Sequence, residues 1–370
     1  MGLGAVAVAA AGLGAWLGAG SESDEDAAKE AAAGSPSPPT CPSEIADDPG
    51  RLAGQMLVVR FEGAATPELL RTARRGEIGG LIAFPPAGLA ESTVRDAVSR
   101  LQRAARDGGN PPLLVATDQE GGDVKRFPAL PPDVPPSELG AAGEAAAVAE
   151  GRDTGRALRR IGLNTDLAPV LDVPAVPGAF MASRAFGSEP ATVSAASVGF
   201  ASGLEEAGVA ATAKHFPGLG RATANTDLGP SVVGGSRADL NPDLEPFEAA
   251  VKAGVRLVMT SNATYPALDD ERPAALSPRV TRLLRDRLDF EGSVITDDLL
   301  AGAISGAGYG PGHAAVAAAQ AGADLLLFAR LPAPEALPAL VSALKRETLD
   351  RQTLLDACVR NLALRKSLAP

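Results

Sequence analysis

The feature that most constrains this chain is an alternation. From about Leu52 onward, eight short apolar runs alternate with longer amphipathic or alanine-rich stretches. The runs are Met56–Phe61, Gly79–Phe84, Leu113–Thr117, Thr165–Leu171, Ala210–Lys214, Arg256–Thr260, Ser293–Thr296 and Asp324–Phe328. Between them lie Ser92–Arg106, Gly143–Ile161, Ala191–Ala207, Pro242–Ala253, Ser277–Leu288 and His313–Ala321, and a helical tail follows over Pro334–Lys345 and Arg351–Lys366. Strands buried on both faces read as short, continuously apolar runs, and the helices covering them repeat every 3.6 residues. Eight such units predict an α/β fold of the (β/α)8 TIM-barrel type, a single domain with a C-terminal helical tail. An open doubly wound sheet competes with it. That architecture normally opens a helix with a glycine-rich phosphate turn, and no GxGxxG or Walker pattern does so here.

Two segments precede the barrel. Leu3–Gly20 is almost wholly apolar and small, which predicts a signal peptide or a single membrane anchor over residues 1–20. Residues 21–40 are rich in Ser, Glu, Asp, Ala and Pro, too polar to bury a core, and read as a disordered linker. The barrel domain then spans 41–370. The chain is thus expected to be exported, extracellular or associated with the cell envelope, and to act as a monomer. Cys41 and Cys358 either pair in an oxidising compartment or stay as thiols.

Charge and composition exclude several functions. The formal net charge is -11, from 34 basic and 45 acidic side chains, so phosphate backbones are repelled and a nucleic-acid partner is not expected. Two histidines and two cysteines cannot build a multi-His or four-cysteine metal site. Neither a metal nor another cofactor is expected.

Barrel active sites lie at the carboxyl ends of the strands. The third run ends in Asp118-Gln119-Glu120-Gly121-Gly122, the fifth in Lys214-His215-Phe216-Pro217-Gly218, the sixth in Thr260-Ser261-Asn262 and the seventh in Thr296-Asp297-Asp298. Ser183-Arg184-Ala185-Phe186-Gly187 lies between the fourth and fifth. Carboxylates, cations and a histidine on one rim, without a metal, suit glycoside cleavage: one carboxylate near the anomeric carbon, an acid near the leaving oxygen, and donors for sugar hydroxyls. Consecutive strand residues point to opposite faces, so only one of Asp297 and Asp298 should face the mouth. Asn262 is a further pocket candidate, and His313 reads as structural.

At these residues the chain resembles glycoside hydrolase family 3, in particular its single-domain β-N-acetylglucosaminidases. The resemblance runs from about Leu52 to Lys366 and is carried by Asp118–Gly122, Asn164–Val173, Arg184–Gly187, Lys214–Gly218 and Thr296–Leu299 in order. It implies that Asp118, Arg126, Arg184, Lys214 and His215 bind sugar and that Asp297 is the nucleophile. It also implies a carbohydrate substrate, either a peptidoglycan fragment or another β-glycoside. The chain departs from the family in two places. Where the family carries an Asp-Ser-His dyad whose histidine is the acid/base, this chain has Asn225-Thr226-Asp227, and Asp123 replaces an expected arginine. Two readings follow. Asp227 replaces the histidine as acid/base of a retaining hydrolase, or the chain is a catalytically impaired sugar-binding protein of the cell envelope.

Overall fold

The structure, a computed structural model, describes residues 40–330 and 334–368. The expected signal or anchor and all but the last residue of the linker lie outside the described residues.

Eight parallel strands form the frame: β1 (Leu57–Phe61), β2 (Gly80–Ala83), β3 (Leu114–Thr117), β4 (Thr165–Asp166), β5 (Thr212–Phe216), β6 (Leu257–Thr260), β7 (Ser293–Thr296) and β8 (Leu326–Phe328). They pair in the orders β8-β1-β2-β3-β4 and β7-β6-β5. Parallel bridges join the edges of these two sheets on both sides, Thr165 with Ala210 and Ile295 with Leu325. The Asp166 amide donates to the Ala210 carbonyl at 2.9 Å, and the Thr296 amide to that of Leu325 at 3.0 Å. Helices follow each strand, including Pro67–Arg75, Glu91–Asp107, Glu144–Arg160, Pro190–Glu206, Asn241–Lys252 and Pro311–Gln320. The molecule is an α/β fold with parallel strands and covering helices.

The expected periodicities explain the layers. Helix Glu91–Asp107 buries Val94, Ala97, Val98, Leu101, Ala104 and Ala105, a stripe at three- and four-residue spacing. Helix Pro67–Arg75 starts where Thr66 accepts from the Leu69 amide with proline at its first turn, and stops at left-handed Gly76. Inside the sheets, Val58, Ile82, Ala116, Leu257, Ile295 and Leu327 join one buried cluster together with Leu167 and Ala210 beside β4 and β5. All eight strand units therefore feed a common inner layer.

Two expectations needed correction, and one open question is answered. The fourth run was expected to be a strand from Thr165 to Leu171, but the regular strand ends at Asp166, with single hydrogen bonds continuing from the Leu167 amide to the Thr117 carbonyl and from the Thr212 amide to the Ala168 carbonyl. Pro169 has no amide to donate and breaks the ladder, and only an isolated bridge, Val170 with Lys214, follows. Ser277–Leu288 was expected as one helix. It is a short α-helix, Pro278–Arg282, that widens into a π-turn over Leu283–Arg287. The open question of the cysteines resolves as a Cys41–Cys358 disulfide with Cα atoms 5.7 Å apart, which ties the start of the domain to helix Arg351–Ser367. Among the described residues, no helix is long and apolar enough to cross a membrane.

Candidate active site

The carboxyl ends of the strands surround a cavity of about 470 Å³. Its wall includes Asp118, Arg126, Arg184, Lys214, His215, Asp227 and Asp297, so one cavity brings together every residue expected to bind or react.

Its most strongly coupled part is a charge cluster between β3 and β5. The Lys214 ammonium lies 3.1 Å from Asp118 Oδ1 and 2.6 Å from Glu120 Oε1. Arg184 reaches Glu120 as a fork, Nε donating to Oε2 at 2.8 Å and Nη2 to Oε1 at 2.6 Å. Lys214 and Glu120 are almost fully buried, so each charge depends on its partners. Burial pushes the Glu120 carboxyl up, but Arg184 and Lys214 outweigh it and hold it at about 2. Burial likewise lowers the Lys214 ammonium, and Glu120 with Asp118 more than reverses this. The cluster is thus a charged framework with both signs fixed. Asp118 retains partial exposure, faces the cavity and is also met by Arg126 at 3.5 Å. Arg126 and Arg60 both lie over the Phe84 ring, at 4.3 and 4.6 Å from its centroid.

His215 is oriented from behind by Asp172. Asp172 Oδ2 lies 2.7 Å from His215 Nδ1, and Oδ1 accepts from the His215 amide at 3.2 Å and the Leu219 amide at 2.6 Å. With Nδ1 donating to this carboxylate, Nε2 is the ring nitrogen left for the cavity. The turn after β5 is equally constrained. A Cβ on Gly220 would stand 1.9 Å from the Val173 carbonyl oxygen, so no larger residue fits there without moving backbone.

Asp297 follows β7. Its amide donates to the Thr260 carbonyl at 3.0 Å, and its Oδ1 accepts from the Asp298 amide at 2.7 Å. Burial raises its carboxyl above the usual aspartate value, opposed by His215 and reinforced by Asp227. The expectation that only one of the two aspartates faces the mouth needs correction, because both border the cavity. The strand ends at Thr296, so strict alternation no longer applies. Asp298 is nevertheless occupied. Its Oδ1 accepts from the Leu300 and Ala329 amides at 3.1 and 3.0 Å, and its Oδ2 from Arg330 at 3.1 Å. Burial pushes its carboxyl up to about 6 against those bonds.

Asp227 sits half-exposed on the loop after β5, with Oδ1 2.9 Å from Arg330. Asn225 accepts from the Asp227 amide at 2.8 Å and so shapes the turn. Asn262 does not border the cavity. It is buried just past the end of β6 and donates to the Asp298 carbonyl at 2.8 Å. His313 lies on helix Pro311–Gln320, away from the cavity.

Comparison with known proteins decides the family. The profile of the Glycosyl hydrolase family 3 N terminal domain matches residues 52–364. The chain belongs to glycosyl hydrolase family 3. It is a glycosidase. It is 36% identical over 338 residues to an uncharacterized secreted glycosyl hydrolase of Arthroderma benhamiae, covering 88% of this chain and 95% of that protein. It is 33% identical over 340 residues to the beta-hexosaminidase LpqI of Mycobacterium tuberculosis, covering 88% and 86%. Its structure superposes on a family 3 beta-N-acetylglucosaminidase from Paenibacillus sp. str. FPU-7 with a TM-score of 0.82 and 34% identity. That match covers 86% of this chain, which spans 62% of the longer protein.

Four residues of this family 3 site were not singled out from the sequence. Glu120 lies in the same segment as Asp118, and alternation about Gln119 could have turned both toward the mouth. Asp172 stands in Asn164–Val173, a segment noted without a role. Arg60 and Arg330 have no local signal: Arg60 is a single arginine within the first apolar run and Arg330 a single arginine after the eighth.

Proposed function

We propose that the chain is a retaining β-N-acetylhexosaminidase that removes terminal β-linked N-acetylglucosamine through a covalent glycosyl–Asp297 intermediate. In this reading the carboxylate of Asp297 attacks the anomeric carbon while Asp227 gives a proton to the departing glycosidic oxygen. Asp227 then takes a proton from water, which attacks the anomeric carbon and releases Asp297. Asp118, Arg126, Arg184, Lys214 and His215 hold the sugar hydroxyls.

The observation that carries the reading is the placement of two carboxylates of different character in one cavity. Asp297 is set on a strand end beside His215, and Asp227 is on a facing loop open to solvent. A nucleophile needs fixed geometry, and an acid/base group needs access to both leaving group and water. The family 3 relatives named beta-hexosaminidase and beta-N-acetylglucosaminidase support the sugar. The two bridges between the sheets and the shared inner layer support a closed (β/α)8 barrel. The disulfide, with the relative named as secreted, supports export.

Release of a chromogenic aglycone from a β-N-acetylglucosaminide tests the reading. Asp297→Asn should abolish turnover, and proton NMR of early product should show the β-anomer. An α-anomer would mean inversion and remove the covalent intermediate.

A further inference from the structure

Asp227 lacks the orienting aspartate that accompanies the acid/base histidine in the family pattern. Among the described residues its side-chain partner is instead a guanidinium, that of Arg330. Arg330 lies just beyond β8, with Nη2 2.9 Å from Asp227 Oδ1 and donating to the Asp227 carbonyl at 3.3 Å. Its Nε donates to Asp298 Oδ2 at 3.1 Å. Asp298 is itself fixed to the framework by the Leu300 and Ala329 amides. One planar fork therefore spans from the loop carrying Asp227 to the residue adjoining Asp297.

We propose that Arg330 is the positioning residue for Asp227, holding the loop and its carboxyl in line with Asp297. The proposal deepens the reading of Asp227 as acid/base and rests on it. Three features make the role physical. Asp227 is half-exposed, so its side chain otherwise loses rotamer freedom at each turnover. Arg330 binds both the side chain and the main chain of Asp227, which fixes direction as well as distance. Arginine alone supplies two rigid donor edges, so lysine can replace the charge but not the bridge. The loop has further ties, from the Gly302 amide to the Asp227 carbonyl at 3.0 Å and from the Ala303 amide to the Thr226 carbonyl at 2.9 Å. These ties share the main chain with Arg330, whereas among the described residues the carboxyl itself is met by Arg330.

The test uses the full chain with Arg330→Gln, Arg330→Lys and, separately, Asp227→Asn. Hydrogen exchange is followed over residues 225–229, and kcat and KM are measured on β-N-acetylglucosaminides with a nitrophenyl and an alkyl leaving group. Acid help matters most for the alkyl group. Arg330→Gln should speed exchange in that segment and lower kcat about tenfold on the alkyl substrate, with a loss under about threefold on the nitrophenyl one and little change in KM. Arg330→Lys should recover part of the alkyl activity. Unchanged exchange, equal losses on both substrates, or a raised KM with kcat intact would overturn the proposal, the last by assigning Arg330 to substrate binding. Asp227→Asn reports on the parent reading. If it lacks the leaving-group difference, the acid/base assignment falls and the proposal with it. If it shows the difference and Arg330→Gln does not, only the proposal falls.

Discussion

Glu120 illustrates how a single buried charge holds this site. It touches both Lys214 and Arg184, and its carboxyl is held at about 2 against an ordinary 4.5. A folded-state pKa below the unfolded one means stability that is present above about pH 4.5 and lost as pH falls through 2. The shift corresponds to about 3 kcal/mol. Glu120→Gln should therefore be less stable than the parent in urea at pH 7, and the gap should close as pH falls from about 5 toward 2. A gap independent of pH would show that the cluster does not depend on this charge. The same substitution should weaken sugar binding, because Lys214 and Arg184 lose the partner that aims them. Asp118, Lys214, His215 and Asp297 were legible as cavity-lining residues because each stands in a short, dense polar segment, whereas Asp227 was reached only through the family resemblance, by its place in the loop after Gly218. Arg330 was not legible, because it meets Asp227 across 103 residues of chain and nothing local marks it.

At the scale of elements, the strand–helix alternation was legible to within a residue or two for most units, because burial on both faces leaves a continuous apolar run. It failed where a local rule overrode the pattern. Pro169 cut the fourth strand short, and the small hairpin of Gln119–Gly121 with Val124–Lys125 is too short to leave a period. That hairpin carries the chain from Asp118 to Arg126. The turn after β5 makes the sharpest prediction for an element. Gly220→Ala places a methyl group 1.9 Å from the Val173 carbonyl oxygen, so the loop from Leu219 toward Asp227 must shift. A shift of about 1 Å can cost a hundredfold in rate. The expected result is a large loss of kcat with the far-ultraviolet circular dichroism of the parent. Parent-like kinetics would show that the loop position is not critical.

For the whole molecule, the Cys41–Cys358 bridge joins residues 317 apart and pins the short helices Ser43–Ala46 and Pro49–Gly54 to the last helix. Sequence could offer the pairing only as one of two outcomes, since distance is a property of the fold. Closing so long a loop restricts the unfolded chain, and such a bridge contributes about 2–5 kcal/mol. Full reduction, verified by thiol counting, should lower the melting temperature by several degrees, whereas an unchanged melting temperature would mean that the terminal contacts suffice without it. The strands and their shared core set the positions, and residues at the strand ends and in the loops beyond them line the cavity.

The central claim is that Asp297 forms the bond to sugar. A 5-fluoro glycosyl fluoride of N-acetylglucosamine reacts quickly with a nucleophile and leaves it slowly, so the adduct accumulates on the attacking residue. Intact mass and peptide mapping should find one sugar per chain, on the peptide that contains Asp297 and on that residue. A label on Asp227 or Asp298, or turnover with no adduct and an α-configured product, would contradict the account.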